Sequence, residues 1–569
     1  MNNRRSVPFL GLFLTLALIL TLTACSGDAE EPAAAAAPQA TAVPQAAAAP
    51  APEPASGPPK ADRLIIATAP FGQESNVRRV VGQISAVQFD ILDEHLIGLD
   101  ATNGEQIPEL ASEWSLEAGP SYRFKLQKGV QFHNDWGEMT ADDVVFTAKE
   151  FMKEDAIGGV RTPMVKTLDR FEIVNDHEVV FHMKLYDADF LNIFARQQPI
   201  AGITSKAHFE SLGGDPTMAD GPLASTGPYK YSDRSENEFI RYERVADHWN
   251  KDGDFNEIQF TYSAEASTRL AGLLTGEVHI ANLPEDQIQL ALSEGMELVE
   301  GTATMRRAFF RWLCCYVDPK SRIYPMHPDS PLQDARVRRA LNKSVDRQAL
   351  NQYLFGGKGM PMYLNNFHPT LSAGWDPIWE TKFQESYGYD PAAAKALLAE
   401  AGYSASNPLE TNMHVYKDAS LAGADDIAEA TAAYFAEVGV KVKLISDSAG
   451  KRRAARRVQG YDNHLALYDT SAAQFTGLSV YATNTSMSVG ATTPAADAKF
   501  LEVRAAVDPA DQDRLLRELG NIVYDSYSDF PLFYLPAEVV VNPGYVDEWV
   551  WPGYLSGFWS HLWNTKGAR

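Results

Sequence analysis

Cysteine is nearly absent: the 569 residues hold three. So few cannot build a disulfide scaffold. Positive charge is also short. Fifty lysines and arginines face 74 aspartates and glutamates, a formal net charge of −24. Phosphate backbones repel such a surface, which argues against nucleic acid as a partner. The chain lacks the bias of disordered or collagen-like sequences, since 45% of it is hydrophobic and 22% charged. From Asp62 onward it has no repeats and no long linkers. The usual marks of catalysis are missing too: no HExxH helix, no GxSxG elbow and no Walker loop. His177 and His182, the closest histidine pair, lie five apart in a strand-like stretch. That odd spacing puts them on opposite faces, so no protein-built metal site and no cofactor are expected. What is present is enough chain for roughly three or four domains, or fewer large ones.

One long hydrophobic run exists, at the start. Arg4 and Arg5 precede the almost wholly apolar Val7 to Leu22, and the small residues Thr23 and Ala24 lead to Cys25. These are the three regions of an export signal, with a membrane-spanning anchor as the alternative. Leu22-Thr23-Ala24-Cys25 resembles the bacterial lipobox. The resemblance implies removal of residues 1–24 as a signal peptide and lipidation of the Cys25 thiol. Several acyl chains on one cysteine hold a membrane firmly. Residues 25–61 then read as an alanine- and proline-rich tether, with Pro32 to Pro59 too poor in other residues to bury a core.

The other cysteines, Cys314 and Cys315, are adjacent. Neighbouring Cα atoms lie about 3.8 Å apart across a trans peptide, shorter than the usual disulfide span. Reduced, structural cysteines are therefore expected, with a strained vicinal bridge as the alternative. They end Phe309-Phe310-Arg311-Trp312-Leu313, which reads as a buried strand.

Periodicity gives a coarse map. Leu64 to Ala67 is a buried strand leading into the loop Phe71 to Ser75, and Tyr122 to Leu126 is a half-exposed strand. Thr140-Ala141-Asp142-Asp143 resembles a capping box opening a helix. A helix is expected between Asp334 and Leu354, where Val337, Leu341 and Val345 recur at helical spacing. Asp390-Pro391 opens another, ended by Gly402. A third, through Ile427, Tyr434 and Phe435, ends at Gly439. A strand from Val440 to Leu444, a basic helix from Lys451 to Val458 and a strand from Asn463 to Tyr468 follow. This order predicts a parallel strand pair in an α/β domain. Ligands sit beyond the carboxyl ends of such strands, which directs attention to Phe71 to Ser75 and Asp469 to Gln474.

The basic cluster Lys451, Arg452, Arg453, Arg456 and Arg457 reads first as a solvated helix face, and second as a contact for an anion. Ser448-Ala449-Gly450-Lys451 matches a bare SxxK pair without the SDN or KTG elements that accompany it in penicillin-binding enzymes. An exported serine hydrolase using Ser448 and Lys451 is kept as an alternative.

Several segments resemble one family in order. Pro108-Glu109-Leu110-Ala111-Ser112-Glu113-Trp114 precedes Tyr122 to Leu126, Lys128-Gly129-Val130-Gln131-Phe132-His133 and Thr140 to Phe146. Ser225-Thr226-Gly227-Pro228-Tyr229-Lys230, Thr268 to Val278, Val337-Arg338-Arg339-Ala340-Leu341-Asn342 and Tyr389-Asp390-Pro391 follow. The order resembles the extracellular solute-binding protein family 5 of ABC importers, which includes oligopeptide-, dipeptide- and nickel-binding proteins.

The resemblance implies an α/β, two-lobed periplasmic-binding-protein-like fold of type II, with an extra inserted α+β domain in the first lobe. It implies a first-lobe domain from 62–100, 220–305 and 520–569, an inserted domain at 101–219 and a second-lobe domain at 306–519. The implied function is capture of a solute, a peptide in first place, between hinged lobes on the outer face of the cytoplasmic membrane. The solute is then delivered to permease and ATPase subunits, by a monomer that is not an enzyme. Oligosaccharides, metal–chelate complexes and a sensory role remain alternatives.

The sequence departs from the family at one informative place. Its peptide binders carry an aspartate for the peptide amine in the loop after the Asn463 to Tyr468 strand. Ser471 falls there, with Asp469 two residues earlier and Tyr468 replacing the usual tryptophan. His133-Asn134-Asp135-Trp136-Gly137 likewise replaces a shorter turn. Tyr363-Leu364-Asn365-Asn366-Phe367-His368 mixes aromatic and amide groups in a region that approaches the family's cleft. The expected ligand contacts are Phe71, Glu74, Tyr363, Asn366, His368, Tyr468, Asp469 and Gln474.

Overall fold

The computed structural model describes residues 57–69, 79, 89–156, 160–214, 221–301, 306–315, 325, 327–416, 423–447, 461–470, 474–481, 493–549, 551–552 and 559–569. Cys25, Phe71, Glu74, Ser448, Ser471 and the basic cluster from Lys451 to Arg457 lie outside them. Three sheets organise the rest. A seven-stranded sheet runs, edge to edge, through Glu297–Glu300, Glu538–Val541, Ile280–Ala281, Arg63–Thr68, Glu257–Tyr262, Phe239–Arg244 and Tyr229–Ser235. Its centre is parallel: Arg63–Thr68 pairs in that sense with Glu257–Tyr262 and Ile280–Ala281. Central parallel strands are covered on both faces and read as apolar runs, as Leu64 to Ala67 does.

The four-stranded antiparallel sheet is built from Ala111–Glu117, Ser121–Leu126, Glu178–Met183 and Leu168–Asn175. It falls in sequence between two strands of the seven-stranded sheet and shares one core with it. The capping box forms: the Thr140 amide and hydroxyl donate to Asp143 Oδ2 at 3.0 and 3.1 Å, opening helix Ala141–Met152. His182 bonds to Glu172, while His177 faces Glu138. Among the described residues no group of His, Cys, Asp and Glu could hold a metal ion.

The third sheet has six strands: Met360–Pro361, Phe530–Leu535, Arg306–Leu313, His464–Thr470, Glu410–Tyr416 and Lys441–Asp447. Three expectations change here. Lys441–Asp447 and His464–Thr470 run parallel but are not neighbours. Glu410–Tyr416, which sequence reading missed, lies between them and pairs with both. The helix expected between Asp334 and Leu354 is two helices, Ala335–Lys343 and Arg347–Phe355. The break is local chemistry: Asp346 accepts from the Ala349 amide at 3.0 Å and so caps a new helix. Cys314 and Cys315 are bridged, against the expectation of free thiols, and both are buried. Strand Phe530–Leu535 belongs to this sheet although it lies within 520–569.

The structure gives physical content to Ser225-Thr226-Gly227-Pro228-Tyr229. Ser225 Oγ donates to the Ile203 carbonyl at 2.6 Å, and Tyr229 Oη donates to that of Phe255 at 2.7 Å. The Gly227 amide donates to the Leu92 carbonyl at 3.0 Å. A Cβ on Gly227 would lie 2.5 Å from that carbonyl oxygen, a backbone atom that cannot swing aside. Gly227→Ala is therefore expected to cost about 1–3 kcal/mol. Urea denaturation of the variant beside wild type measures it, and an unchanged midpoint would refute the packing argument.

Buried histidines and carboxyls set the pH response in opposite senses. Burial first of all lowers His95 and His561 to about 3, and His133, His279, His368 and His464 to about 4. The unfolded chain binds these protons near pH 6.5 and the folded chain does not. Their contribution is full above that pH and lost as pH falls towards 4. Burial raises Asp90, Asp189 and Glu538 to about 7 and Asp529 to about 6. Those groups favour the fold below pH 4, and the advantage is lost as pH rises through 6 to 7. The histidines are the larger set, so a shallow rise in thermal midpoint from pH 4 to 6.5 is expected. A thermal midpoint that stays level or falls as pH rises from 4 to 6.5 would contradict this balance.

Candidate ligand cleft

The chain passes from the seven- to the six-stranded sheet between Glu300 and Arg306 and returns between Leu535 and Glu538. Register fixes what else lies there. In the seven-stranded sheet the parallel strands end at Thr68, Tyr262 and Ala281, on the edge that carries Glu300 and Glu538. In the six-stranded sheet Thr470 pairs with Arg307, and Arg307 with Tyr534, so the parallel strands end on the edge the crossings enter. Both sheets thus turn their carboxyl edges towards the same crossings, where α/β sheets bind ligands.

Strand Arg306–Leu313 supplies the described chemistry on the six-stranded side. Ala308, Phe310 and Trp312 enter one core, while Phe309 and Leu313 enter the core on the other face. Arg307 and Arg311 share that second face. Arg307 is buried, which pushes its guanidinium down to about 10. It donates to Asn365 Oδ1 at 3.4 Å and to Asn366 Oδ1. Asn366 holds a left-handed backbone (φ 69°), and Gly477 packs so closely that a Cβ there would overlap its amide oxygen. Four residues on, the Arg311 guanidinium lies 4.4 Å from the Tyr468 ring centroid and 5.2 Å from that of Phe309. Those two rings stack at 5.7 Å as register partners. Asp529 completes the face: it accepts from Tyr481 Oη at 2.6 Å, and burial pushes its carboxyl up to about 6 against the pull of Tyr481 and Arg311.

The expected contact residues divide. Asn366 and Tyr468 do lie on this face. His368 joins it through Tyr534, 4.8 Å away ring to ring, while its Nδ1 accepts from the Thr370 and Leu371 amides at 3.2 and 3.1 Å. Tyr363 instead packs on Phe383 and donates to Glu380 at 3.1 Å. Gln474 spends its amide on one backbone residue, accepting from Ala373 N at 3.2 Å and donating to Ala373 O at 2.8 Å. The Asp469 backbone pairs with Ala308, and its side chain lies outside the described set. Arg307, Arg311, Tyr481 and Asp529 share this face and were not among the expected contacts. The signal was available in Arg307-Ala308-Phe309-Phe310-Arg311, two arginines at even spacing in a strand otherwise read as apolar.

Among the described residues, polar contacts in two places tie the halves together. Near the crossings Lys358 pairs with Glu538 at 2.9 Å and Glu285 at 3.1 Å, beside a cavity of about 470 Å³ lined by Leu283, Tyr353, Phe355 and Pro536. Elsewhere Arg504, on helix Pro494–Ala505, donates Nε to Asp187 Oδ1 at 3.0 Å and Nη2 to Oδ2. The Ala188 amide donates to the Arg504 carbonyl at 3.0 Å.

Residues 105–488 match the description "Bacterial extracellular solute-binding proteins, family 5 Middle". The chain belongs to that family. Among its relatives is the dipeptide-binding protein of Escherichia coli strain K12, 27% identical over 369 residues, covering 61% of this chain and 64% of that protein. The fold is that of solved family structures. The periplasmic binding protein DppA from Helicobacter pylori, in complex with the peptide STSA, matches with TM-score 0.73 and 19% identity over 89% of this chain and 98% of its own. AgaA from A. tumefaciens R10, in complex with agropinic acid, matches with TM-score 0.72 and 20% identity over 89% and 99%. The chain thus has the α/β fold of the family's two-lobed periplasmic binding proteins. The relatives are binding proteins rather than enzymes.

Proposed function

We propose that the chain captures a solute, a peptide in first place, between two hinged lobes outside the cytoplasmic membrane and passes it to the permease and ATPase subunits of an ABC importer. Lipid on Cys25 anchors it, and residues 25–61 give it reach. The observation that carries the reading is the meeting of both carboxyl edges at the two crossings, a geometry in which hinge closure encloses a ligand. In this reading the inserted domain is 101–219. The second lobe extends past 519 to Leu535, because Phe530–Leu535 pairs inside the six-stranded sheet and Leu516, Leu519 and Val523 pack in its core. The protein acts as a monomer and without catalysis.

The test is native mass spectrometry of the full-length chain in detergent, followed by denaturation and identification of released molecules. A ladder of short peptides is the expected result. A released sugar or metal chelate would keep the receptor and replace the peptide. Labelling of Ser448 by an acylating inhibitor would favour the hydrolase instead.

A further inference from the structure

Arg311 retains 8% of its surface and Tyr468 9%, whereas Arg307 and Phe309 retain 1% each. Solvent therefore reaches this face at the Arg311–Tyr468 stack. A guanidinium carries five N–H donors and no acceptor. Among the described residues Arg311 donates no hydrogen bond and forms no ion pair within 4 Å. Asp529, the carboxylate that acts on it electrostatically, accepts from Tyr481 at Oδ1, and neither of its oxygens lies within 4 Å of the Arg311 nitrogens. A buried charge without an acceptor is costly, and the aromatic rings compensate only the faces of the guanidinium, not its N–H edge.

We infer that Arg311 binds a carboxylate of the ligand, edge on, while Tyr468 holds the guanidinium plane in place. A planar anion with two oxygens matches the fork of donors, and a neutral ligand leaves it unsatisfied. The inference rests on the solute-receptor reading above and narrows its ligands to acids. It makes Arg311 a specificity-determining residue, on a strand distinct from the loop where the family's peptide binders hold an amine.

The test uses the full-length chain and matched acid and neutral probes: Met-Leu with Met-Leu amide, and galacturonic acid with galactose. Calorimetry is run on wild type, Arg311→Gln and Arg311→Lys, with circular dichroism to confirm folding. At least one acid is expected to bind wild type about tenfold or more tighter than its neutral partner. Arg311→Gln removes that preference. Arg311→Lys, which keeps the charge without the fork, retains part of it and reports recognition even where the glutamine variant folds poorly. Equal binding of acid and neutral members, no binding by either acid, or a preference that survives in Arg311→Gln overturns the inference. A response confined to the sugar pair supports Arg311 and overturns the peptide reading alone.

Discussion

Replacing Arg196 with methionine is expected to lower the stability of the fold by about 3–5 kcal/mol, the largest effect of any single change proposed. Arg196 is 1% exposed and sits among carboxylates. It donates to Asp90 Oδ1 at 3.2 Å, to the Asp90 and Asp93 carbonyls at 3.2 and 3.3 Å, and to Glu109 Oε1. Its guanidinium lies 4.8 Å from the Trp563 ring. Lys251 reaches the same cluster, 2.6 Å from Glu109 and 2.5 Å from Glu94.

Burial raises the Glu109 carboxyl, but Arg196 and Lys251 together outweigh it and hold the group well below the usual carboxylate range. Asp90 goes the other way: burial exceeds the pull of Arg196 and lifts it to about 7. Methionine fills a similar volume and leaves the Glu109 carboxylate with the Lys251 ammonium and the His95 amide, which donates to Oε2 at 3.0 Å. The contribution of a lowered carboxyl is present above its unfolded value, near 4.5, and is lost as pH falls through its folded value. The variant should therefore lose stability at neutral pH and begin acid unfolding at a higher pH than wild type. Urea midpoints at pH 7 and pH 5 measure both. A loss below about 1 kcal/mol would mean that Lys251 suffices to neutralise Glu109.

Arg504→Ala should weaken ligand binding by about 2–5 kcal/mol while leaving the separate cores intact. Asp187 is fully buried, and its carboxylate is held by Arg504, 317 residues away in sequence. The loop with Asp187 and Ala188 leads into Phe190 and Phe194 of one core, whereas Phe500 and Val503 beside Arg504 belong to another. If the lobes open on a hinge, this contact exists only in the closed form. Removing the guanidinium leaves a buried carboxylate unpaired there, and the same carboxylate meets water when open. The population shifts towards the open state, and apparent affinity falls with the fraction of closed protein. Calorimetry with the ligand released in mass spectrometry checks this, with small-angle scattering to show a larger radius for the variant. Unchanged affinity and unchanged scattering would make the pair a fixed brace rather than a closing contact.

Much of the molecule was determined by the sequence alone, because the governing interactions are short-range. Thr140 and Asp143 close a capping box within four residues, and Asp390-Pro391 starts helix Pro391–Glu400 with its own side chain on the Ala393 amide. The family order was legible for a related reason: its motifs are local packing solutions. Arg338 of Val337-Arg338-Arg339-Ala340-Leu341-Asn342 clamps the Leu332, Gln333, Ser526 and Tyr527 carbonyls, and Asn342 holds the Asp529 carbonyl. Tertiary structure decided the rest. Glu410–Tyr416 slid between two strands that follow it in sequence, because neighbour order in a sheet is set by contacts across many residues. Gln474, expected as a ligand contact, has both ends of its amide bonded to Ala373, a hundred residues away, a pairing that only the packed chain shows. From sequence, Arg311 reads only as part of a buried strand. Period-two alternation assigns a side chain to a face, but only the packed sheet says which rings cover that face and which charge it leaves without an acceptor.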